Sequence, residues 1–104
     1  MESLKYELII IISNKGFADE IMDTAKEHGA RGGTIIHGRG TAAEETIKFF
    51  GLTIQPEKEL ILIVSPKEVA NPIMKAVSSK HGTHTKVRAL CFSLPVSNAC
   101  GFNF

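Results

Sequence analysis

Two segments of the chain consist almost entirely of aliphatic residues. Residues 4–13 contain four consecutive isoleucines, and residues 58–64 hold a second aliphatic run. β-Branched side chains are stiff at χ1 and pack well on a pleated surface, so both segments are predicted to be strands. Residues 32–37 and 86–96 are predicted as two further strands, because each is apolar and next to residues typical of turns.

A first helix is predicted over residues 17–28. Phe17, Ile21 and Ala25 recur at the spacing that places them on one helical face. Gly29 follows, and glycine is the residue that most readily takes the left-handed conformation needed just after a helix. The predicted helix therefore ends at residue 28.

A second helix is predicted to run to about residue 80. Ser65 as N-cap, a proline after it and Glu68 at the third helical position together match a capping box. Pro72 lies inside this segment and would remove one helical hydrogen bond. One kinked helix is the preferred interpretation. The alternative is a helix that begins later, with Asn71 as its N-cap.

The remaining segments are predicted to be loops around a single domain of residues 1–104. The loop between the second and third strands covers residues 38–57, with a helical turn or two over 42–50, and residues 97–104 form a flexible tail. The order β-α-β-β-α-β in about 100 residues predicts a ferredoxin-like α+β fold. Such a fold has a four-stranded antiparallel sheet with two helices on one face.

The predicted sheet has apolar residues on both faces. Alternate strand residues point to opposite faces, so Ile9 and Ile11 face away from Leu8 and Ile10. Two helices cover only one face, and an antiparallel sheet open to water alternates apolar with polar residues. The second face is therefore predicted to be covered by another subunit. The alternative is that the phenylalanine-rich tail folds back over it.

Composition excludes several classes of protein. The 104 residues are 43% hydrophobic with a formal net charge of +1, which is untypical of disorder and gives no basic field for nucleic acid. The longest apolar runs have five residues, whereas a transmembrane helix needs about 20, so no membrane insertion is expected. Cys91 and Cys100 match no zinc spacing, and no signal peptide pattern is visible. We expect a cytoplasmic protein with reduced thiols.

Two motifs resemble a known family. Residues 32–42 read Gly-Gly-Thr-Ile-Ile-His-Gly-Arg-Gly-Thr-Ala, and residues 89–97 read Ala-Leu-Cys-Phe-Ser-Leu-Pro-Val-Ser. Together they resemble the second and last strands of PII-type (nitrogen regulatory P-II-like) signalling proteins, in particular the small PII-like branch. The resemblance implies a homotrimeric regulator in signal transduction, not an enzyme. It also implies binding of ATP, ADP or AMP between subunits, and a loop that contacts a target protein such as a membrane transporter or a metabolic enzyme.

The resemblance can be carried over to individual positions. Gly38 and Gly40 match a Gly-x-Gly at the root of the family's loop, and Arg39 between them can donate to a phosphate or carboxylate. Lys58 matches a lysine that reaches nucleotide phosphates. Thr34 matches a threonine near the adenine.

The loop after the second helix departs from the family pattern. It contains Gly82 and Lys86 but only one glycine where the family has three, and no arginine follows Arg88. Fewer glycines leave fewer positions at which backbone N–H groups can surround an anion. Three alternatives are therefore compatible with the sequence: an adenine nucleotide, another anion, or no small ligand. The candidate ligand-binding residues are Thr34, Gly38, Arg39, Gly40, Lys58, Gly82 and Lys86.

Histidines support a competing hypothesis. His81 and His84 are three residues apart in a predicted turn and could share a metal ion, with a third ligand from another element or subunit. His37 is a further candidate ligand or pH sensor. The alternative function is thus a metal-binding or structural ferredoxin-like trimer without nucleotide. A small enzyme would need a nucleophile paired with a base, and no such catalytic pattern is found in the sequence.

Overall fold

The computed structural model describes residues 5–41 and 47–101. In these ranges the elements are β1 (Tyr6–Asn14), α1 (Ala18–Glu27), β2 (Thr34–Arg39), β3 (Ile47–Phe49), β4 (Leu52–Ile54), β5 (Glu57–Pro66), α2 (Lys67–His81) and β6 (Leu90–Pro95). One sheet has the order β2-β5-β1-β6 with all neighbours antiparallel, and β3 pairs with β4 separately. The predicted ferredoxin-like α+β arrangement is confirmed.

The core lies between one face of this sheet and the two helices. The register places Ile9 opposite Ile63 and Ile11 opposite Ile61, and all four side chains are fully buried. Burial of one such side chain contributes about 2 kcal/mol. The helices add the fully buried Ile21, Ile73 and Val77. The isoleucine runs thus form strands whose every second residue lies beneath the helices.

The opposite face, called here the open face, is also apolar. On β6 the side chains of Leu90, Phe92 and Leu94 remain 53%, 41% and 50% exposed, and they pair across with residues of β1. The described tail residues 97–101 are exposed, while 102–104 lie outside the described residues. The prediction of a second apolar face is confirmed. The described part of the tail is too exposed to cover that face.

Both helices occur where they were predicted, and α1 and α2 each end within a residue of the predicted position. At the end of α1, Gly29 has φ +111°, and the N–H groups of Gly29 and Ala30 donate to the carbonyls of Lys26 and Ala25, as in a Schellman motif. Gly29 therefore ends α1 as the sequence predicts. Neither α1 nor α2 is long and apolar enough to cross a membrane.

The capping box at the start of α2 is a wrong prediction. The N-cap is Pro66, and no side chain caps the helix. Ser65 still belongs to β5, is buried and donates its hydroxyl to the Pro66 carbonyl, so it is not positioned to cap. Pro72 lies inside one continuous helix, which confirms the single-helix interpretation over a start at Asn71.

The segment after β2 also differs from its prediction. Residues 47–49 and 52–54 form a hairpin instead of a helical turn followed by a loop; residues 42–46 lie outside the described residues. Two positive φ values, at Phe50 and Gly51, close the hairpin. At the other end of the chain β6 begins at residue 90, not 86, because Arg88 has φ +54° and interrupts an extended backbone.

Candidate functional site

One corner of the sheet gathers the Gly-x-Gly motif and the candidate lysine. The register places Gly38 opposite Lys58, and the Gly40 N–H donates to the Pro56 carbonyl at 2.7 Å. A Cβ on Gly40 would lie 2.9 Å from Lys58 Cε and 3.2 Å from Pro56 Cγ. Gly40 therefore lets the lysine stem lie directly against the backbone.

Asn14 connects this corner to the loop that follows α2. The Lys58 ammonium donates to Asn14 Oδ1 at 2.8 Å, and Asn14 Nδ2 donates to the Lys86 carbonyl at 2.9 Å. The Asn14 N–H in turn donates to the Val87 carbonyl at 2.9 Å. Sequence reasoning missed this residue. The available clue in the sequence was that Asn14 carries a polar amide side chain directly after the isoleucine run of β1, which is a central strand of the sheet.

The loop after α2 closes on itself by hydrogen bonds. The hydroxyl and N–H of Thr85 both donate to the Gly82 carbonyl, at 2.8 and 3.0 Å, and the Val87 N–H donates to the Thr85 hydroxyl. Gly82 is buried, has an extended backbone, and its missing side chain leaves room for the Ser78 carbonyl. Gly82 thus serves close packing and does not supply a left-handed anion-binding backbone.

The two remaining candidate cations differ in their surroundings. The Lys86 ammonium lies 5.7 Å from the centroid of the Phe17 ring, which is within the range of a cation–π contact. Arg39 is exposed and pairs in register with Glu57, so alternation places it on the helix side of β2, opposite to Lys58. Lys58 and the carbonyl of Lys86 meet at Asn14, whereas the Arg39 side chain starts from the other face.

Thr34 lies apart from the corner. It is opposite Leu62 at the start of β2, on the open face, and it is exposed. Gly38 is four residue steps further along the strand, or about 13 Å away at 3.3 Å per step. A single extended ligand along the open face could reach both positions, but a compact anion could not.

A second polar cluster lies on the helix side of the same corner. The buried carboxylate of Glu59 accepts the Gly16 N–H at 2.8 Å, and its other oxygen is 3.4 Å from His37 Nδ1. A cavity of about 320 Å³ lies beside them and is also lined by Asp19. Glu59 fixes the turn between β1 and α1. The exposed His37 is the only one of the histidine candidates that contacts a carboxylate among the described residues.

The other two histidine candidates have different environments. His81 is buried, and its Nε2 lies 2.8 Å from the Thr24 hydroxyl, which links α2 to α1. Burial lowers the pKa of His81 below 6.5, against a smaller opposing effect of Glu20. His84 is exposed. Within residues 5–41 and 47–101 no three His, Cys, Asp or Glu side chains are grouped so that they could hold a metal ion.

The two thiols also differ. Cys91 is half-buried against the core, and burial raises its pKa to about 11, so it is overwhelmingly protonated at neutral pH. Cys100 is exposed. Cys91 is thus a partly buried residue of β6.

Comparison with known proteins identifies the fold. No protein-family model matches the chain, and no curated protein sequence matches it. Among solved structures it is similar to CPII, a nitrogen regulatory PII-like protein from Thiomonas intermedia K12 bound to ADP, AMP and bicarbonate, with 13% identity and a TM-score of 0.68 over 93% of this chain and 96% of that one. It is also similar to the GlnK–ATP complex of B. subtilis, with 17% identity and a TM-score of 0.66 over 95% and 88% of the two chains.

A third similar structure is the periplasmic divalent cation tolerance protein CutA from Archaeoglobus fulgidus, with 12% identity and a TM-score of 0.67 over 91% and 87% of the chains. The resemblance of residues 32–42 and 89–97 to PII-like proteins is thus confirmed as a likeness of fold. Because CutA shares that fold, the function has to be argued from the site.

Proposed function

We propose that this chain is the subunit of a PII-like regulator, a homotrimer that binds an adenine nucleotide (ATP, ADP or AMP) between subunits and acts on a partner protein through the segment between β2 and β5, residues 40–56. The observation that carries the proposal is the convergence of Gly38, Gly40, Lys58 and the loop after α2 around Asn14. The solved CPII and GlnK structures, which share this fold, carry adenine nucleotides. The regulator would work in the cytoplasm and catalyse no reaction.

The ammonium group of Lys58 is held in a fixed position from which it could bind an anion. Lys58 is half-buried, and Asn14 holds its ammonium at 2.8 Å. A fixed ammonium loses little conformational entropy when a phosphate oxygen binds, and a charge-assisted hydrogen bond is about twice as strong as a neutral one. The adjacent Gly40 has no side chain that would stand between the lysine stem and the backbone.

The same corner lies on the open face of the sheet. Lys58 and Gly38 alternate with the core residues, so they share the open face with Leu60 and Leu62. That face also carries the half-exposed apolar residues of β6 and is the surface proposed to meet another copy. A nucleotide held by Lys58 would therefore contact the neighbouring subunit.

Signalling would pass through the segment that begins at Gly38 and Gly40. This segment leaves the ligand corner, forms the β3–β4 hairpin and returns at Pro56, whose carbonyl binds the Gly40 N–H. Ligand binding at the root would shift the hairpin and change the surface that it presents to a partner.

Isothermal titration with ATP, ADP and AMP tests the nucleotide site. The wild-type protein should bind at least one of them. Lys58→Ala should lose roughly tenfold or more in affinity, because a hydrogen bond to a charged group is worth about 1.5–3 kcal/mol. Lys75→Ala, at an exposed lysine on α2, is the matched control and should bind like the wild type. No heat and no thermal shift with any of the three would reject the nucleotide site and favour a structural trimer.

A further inference from the structure

Asn14 contacts a different segment of the chain on each side of its strand. It is the last residue of β1, which lies between β5 and β6 in the sheet, and it is opposite Lys58 of β5. On the other side, the pairing of β1 with β6 ends already at Ile12. Beyond that point Asn14 bonds instead to Lys86 and Val87, which belong to the loop after α2. Asn14 therefore lies between the candidate lysine and that loop.

The orientation of the Asn14 amide is fixed by the chemistry of its partners. The Lys58 ammonium can only donate and lies 2.8 Å from Oδ1, whereas the Lys86 carbonyl can only accept and lies 2.9 Å from Nδ2. A reversed amide would place its NH2 group against the ammonium and its oxygen against the carbonyl. The amide thus joins a donor to an acceptor in one orientation, which neither a carboxylate nor an aliphatic side chain of the same size can do.

The backbone around Asn14 is held on the same two sides. Its N–H donates to the Val87 carbonyl at 2.9 Å. Two residues later, the Gly16 N–H donates to the buried carboxylate of Glu59 on β5 at 2.8 Å. Because the main chain is fixed in this way, a movement of the Lys58 ammonium must either carry the amide with it or break one of the two side-chain bonds.

We propose that Asn14 is a positioning residue that couples the Lys58 ammonium to the loop after α2, so that an oxyanion bound by Lys58 also changes the hydrogen bonding of that loop. The inference rests on the proposed function for its ligand, and it adds the route by which the bound state reaches a second segment. Hydrogen bonds in a chain polarise one another, so an ammonium that leaves Oδ1 for an oxyanion weakens the bond from Nδ2 to the Lys86 carbonyl. The loop after α2 is then held less firmly.

Hydrogen exchange in the protein without ligand tests the coupling. Lys58→Met keeps the stem that lies against Gly40 and removes the ammonium. The Val87 N–H, which shares a peptide group with the Lys86 carbonyl, should then exchange roughly fivefold faster, the effect of one weakened hydrogen bond. In Asn14→Leu this exchange should already be fast, and the addition of Lys58→Met should change nothing further. Unchanged exchange in Lys58→Met, or additive effects of the two substitutions, would overturn the coupling.

A titration with inorganic pyrophosphate, followed by NMR, tests whether a bound anion uses the same route. In the wild type, the amide resonances of Lys58 and Val87 should shift together. In Asn14→Leu at saturation, the shift at Val87 should be lost while the shift at Lys58 remains. Asn71→Leu, the same substitution at an exposed asparagine of α2, is the matched control and should behave like the wild type. An undiminished shift at Val87 in Asn14→Leu would mean that the anion contacts the loop directly, and it would overturn the proposal.

The two experiments separate this inference from the proposed function. If no nucleotide and no pyrophosphate binds, the proposed function fails together with the anion part of the inference, whereas the exchange data still decide whether Asn14 couples Lys58 to the loop. If nucleotide binds but the exchange effects are additive, the ligand site stands and Asn14 has only a structural role.

Discussion

Phe92→Glu should prevent the chain from assembling. Phe92 lies in the middle of β6 on the open face, opposite Ile10 of β1, and is 41% exposed in the single subunit. Its neighbours on that face, Leu90 and Leu94, are exposed to about the same degree. If another copy covers this face, a carboxylate at position 92 would be taken out of water without a partner.

The size of the effect follows from the exposed area. A phenylalanine presents about 200 Å², so 41% leaves roughly 80 Å² to be buried on assembly, worth about 2 kcal/mol. The glutamate loses this gain and adds the penalty of burying an unpaired charge, which is several kcal/mol in real proteins. Together they exceed about 4 kcal/mol, a roughly thousandfold loss of association per interface.

Sedimentation equilibrium at micromolar concentration measures the outcome. The wild type should have three times the monomer mass of 11.3 kDa, and Phe92→Glu should have the monomer mass with an unchanged circular dichroism spectrum. Lys75→Glu changes charge on the exposed surface of α2 and should remain assembled. A wild type that is monomeric, or a Phe92→Glu variant with the wild-type mass, would refute the assignment of the open face as the subunit interface.

Two further predictions concern the stability of the single subunit. Gly29→Ala should lower the free energy of unfolding by about 1–3 kcal/mol in urea titration, because φ is +111° there and a Cβ would lie 2.6 Å from Val69 Cγ1; a change within experimental error would contradict the packing described. Since burial lowers the pKa of His81, its bond to Thr24 should stabilise the fold fully above pH 6.5 and progressively less as the pH falls towards the lowered value. Between pH 7.5 and 5.5 the wild type should therefore lose more stability than His81→Gln, and equal losses would refute this account.

The sheet could be predicted from the sequence because two physical signals agreed. The isoleucine runs have a strong preference for strands, and both sets of alternate residues in them are apolar, so the sequence alone predicts the exposed apolar residues of the open face. The capping box failed although its local pattern was good. Ser65 is needed as a buried residue of β5, and tertiary burial prevails over a helix-end preference worth about 1 kcal/mol.

The hairpin at 47–54 was missed for a related reason. Its strands have three residues each, too short for a clear alternation of apolar and polar positions. The turn signal was hidden as well, because its first position is Phe50 and not the asparagine that normally marks a type I′ turn.

The candidate site was predicted from family likeness more than from chemistry. In the structure its residues lie on different faces of the sheet, because alternate strand residues point to opposite faces. Gly38 and Lys58 lie on the open face, whereas Arg39 starts from the helix side. Asn14 could not be found as the residue that joins them, since its partners Lys58 and Lys86 are 44 and 72 residues away in sequence. Contacts of this range depend on register, which a single sequence does not reveal.

Under the proposed function, ligand binding and assembly are coupled through the open face. Because Lys58 shares a face with Leu60, Leu62 and Val64, any anion that it binds there would lie beside the surface proposed to join the subunits. A ligand that contacts two subunits binds the trimer more tightly than the monomer. By linkage, the ligand must strengthen the association of subunits by the ratio of these two affinities. Nucleotide should then shift the concentration at which the trimer dissociates. In Lys58→Ala this shift should shrink while the unliganded trimer is unaffected, because the apolar residues of the open face remain in place.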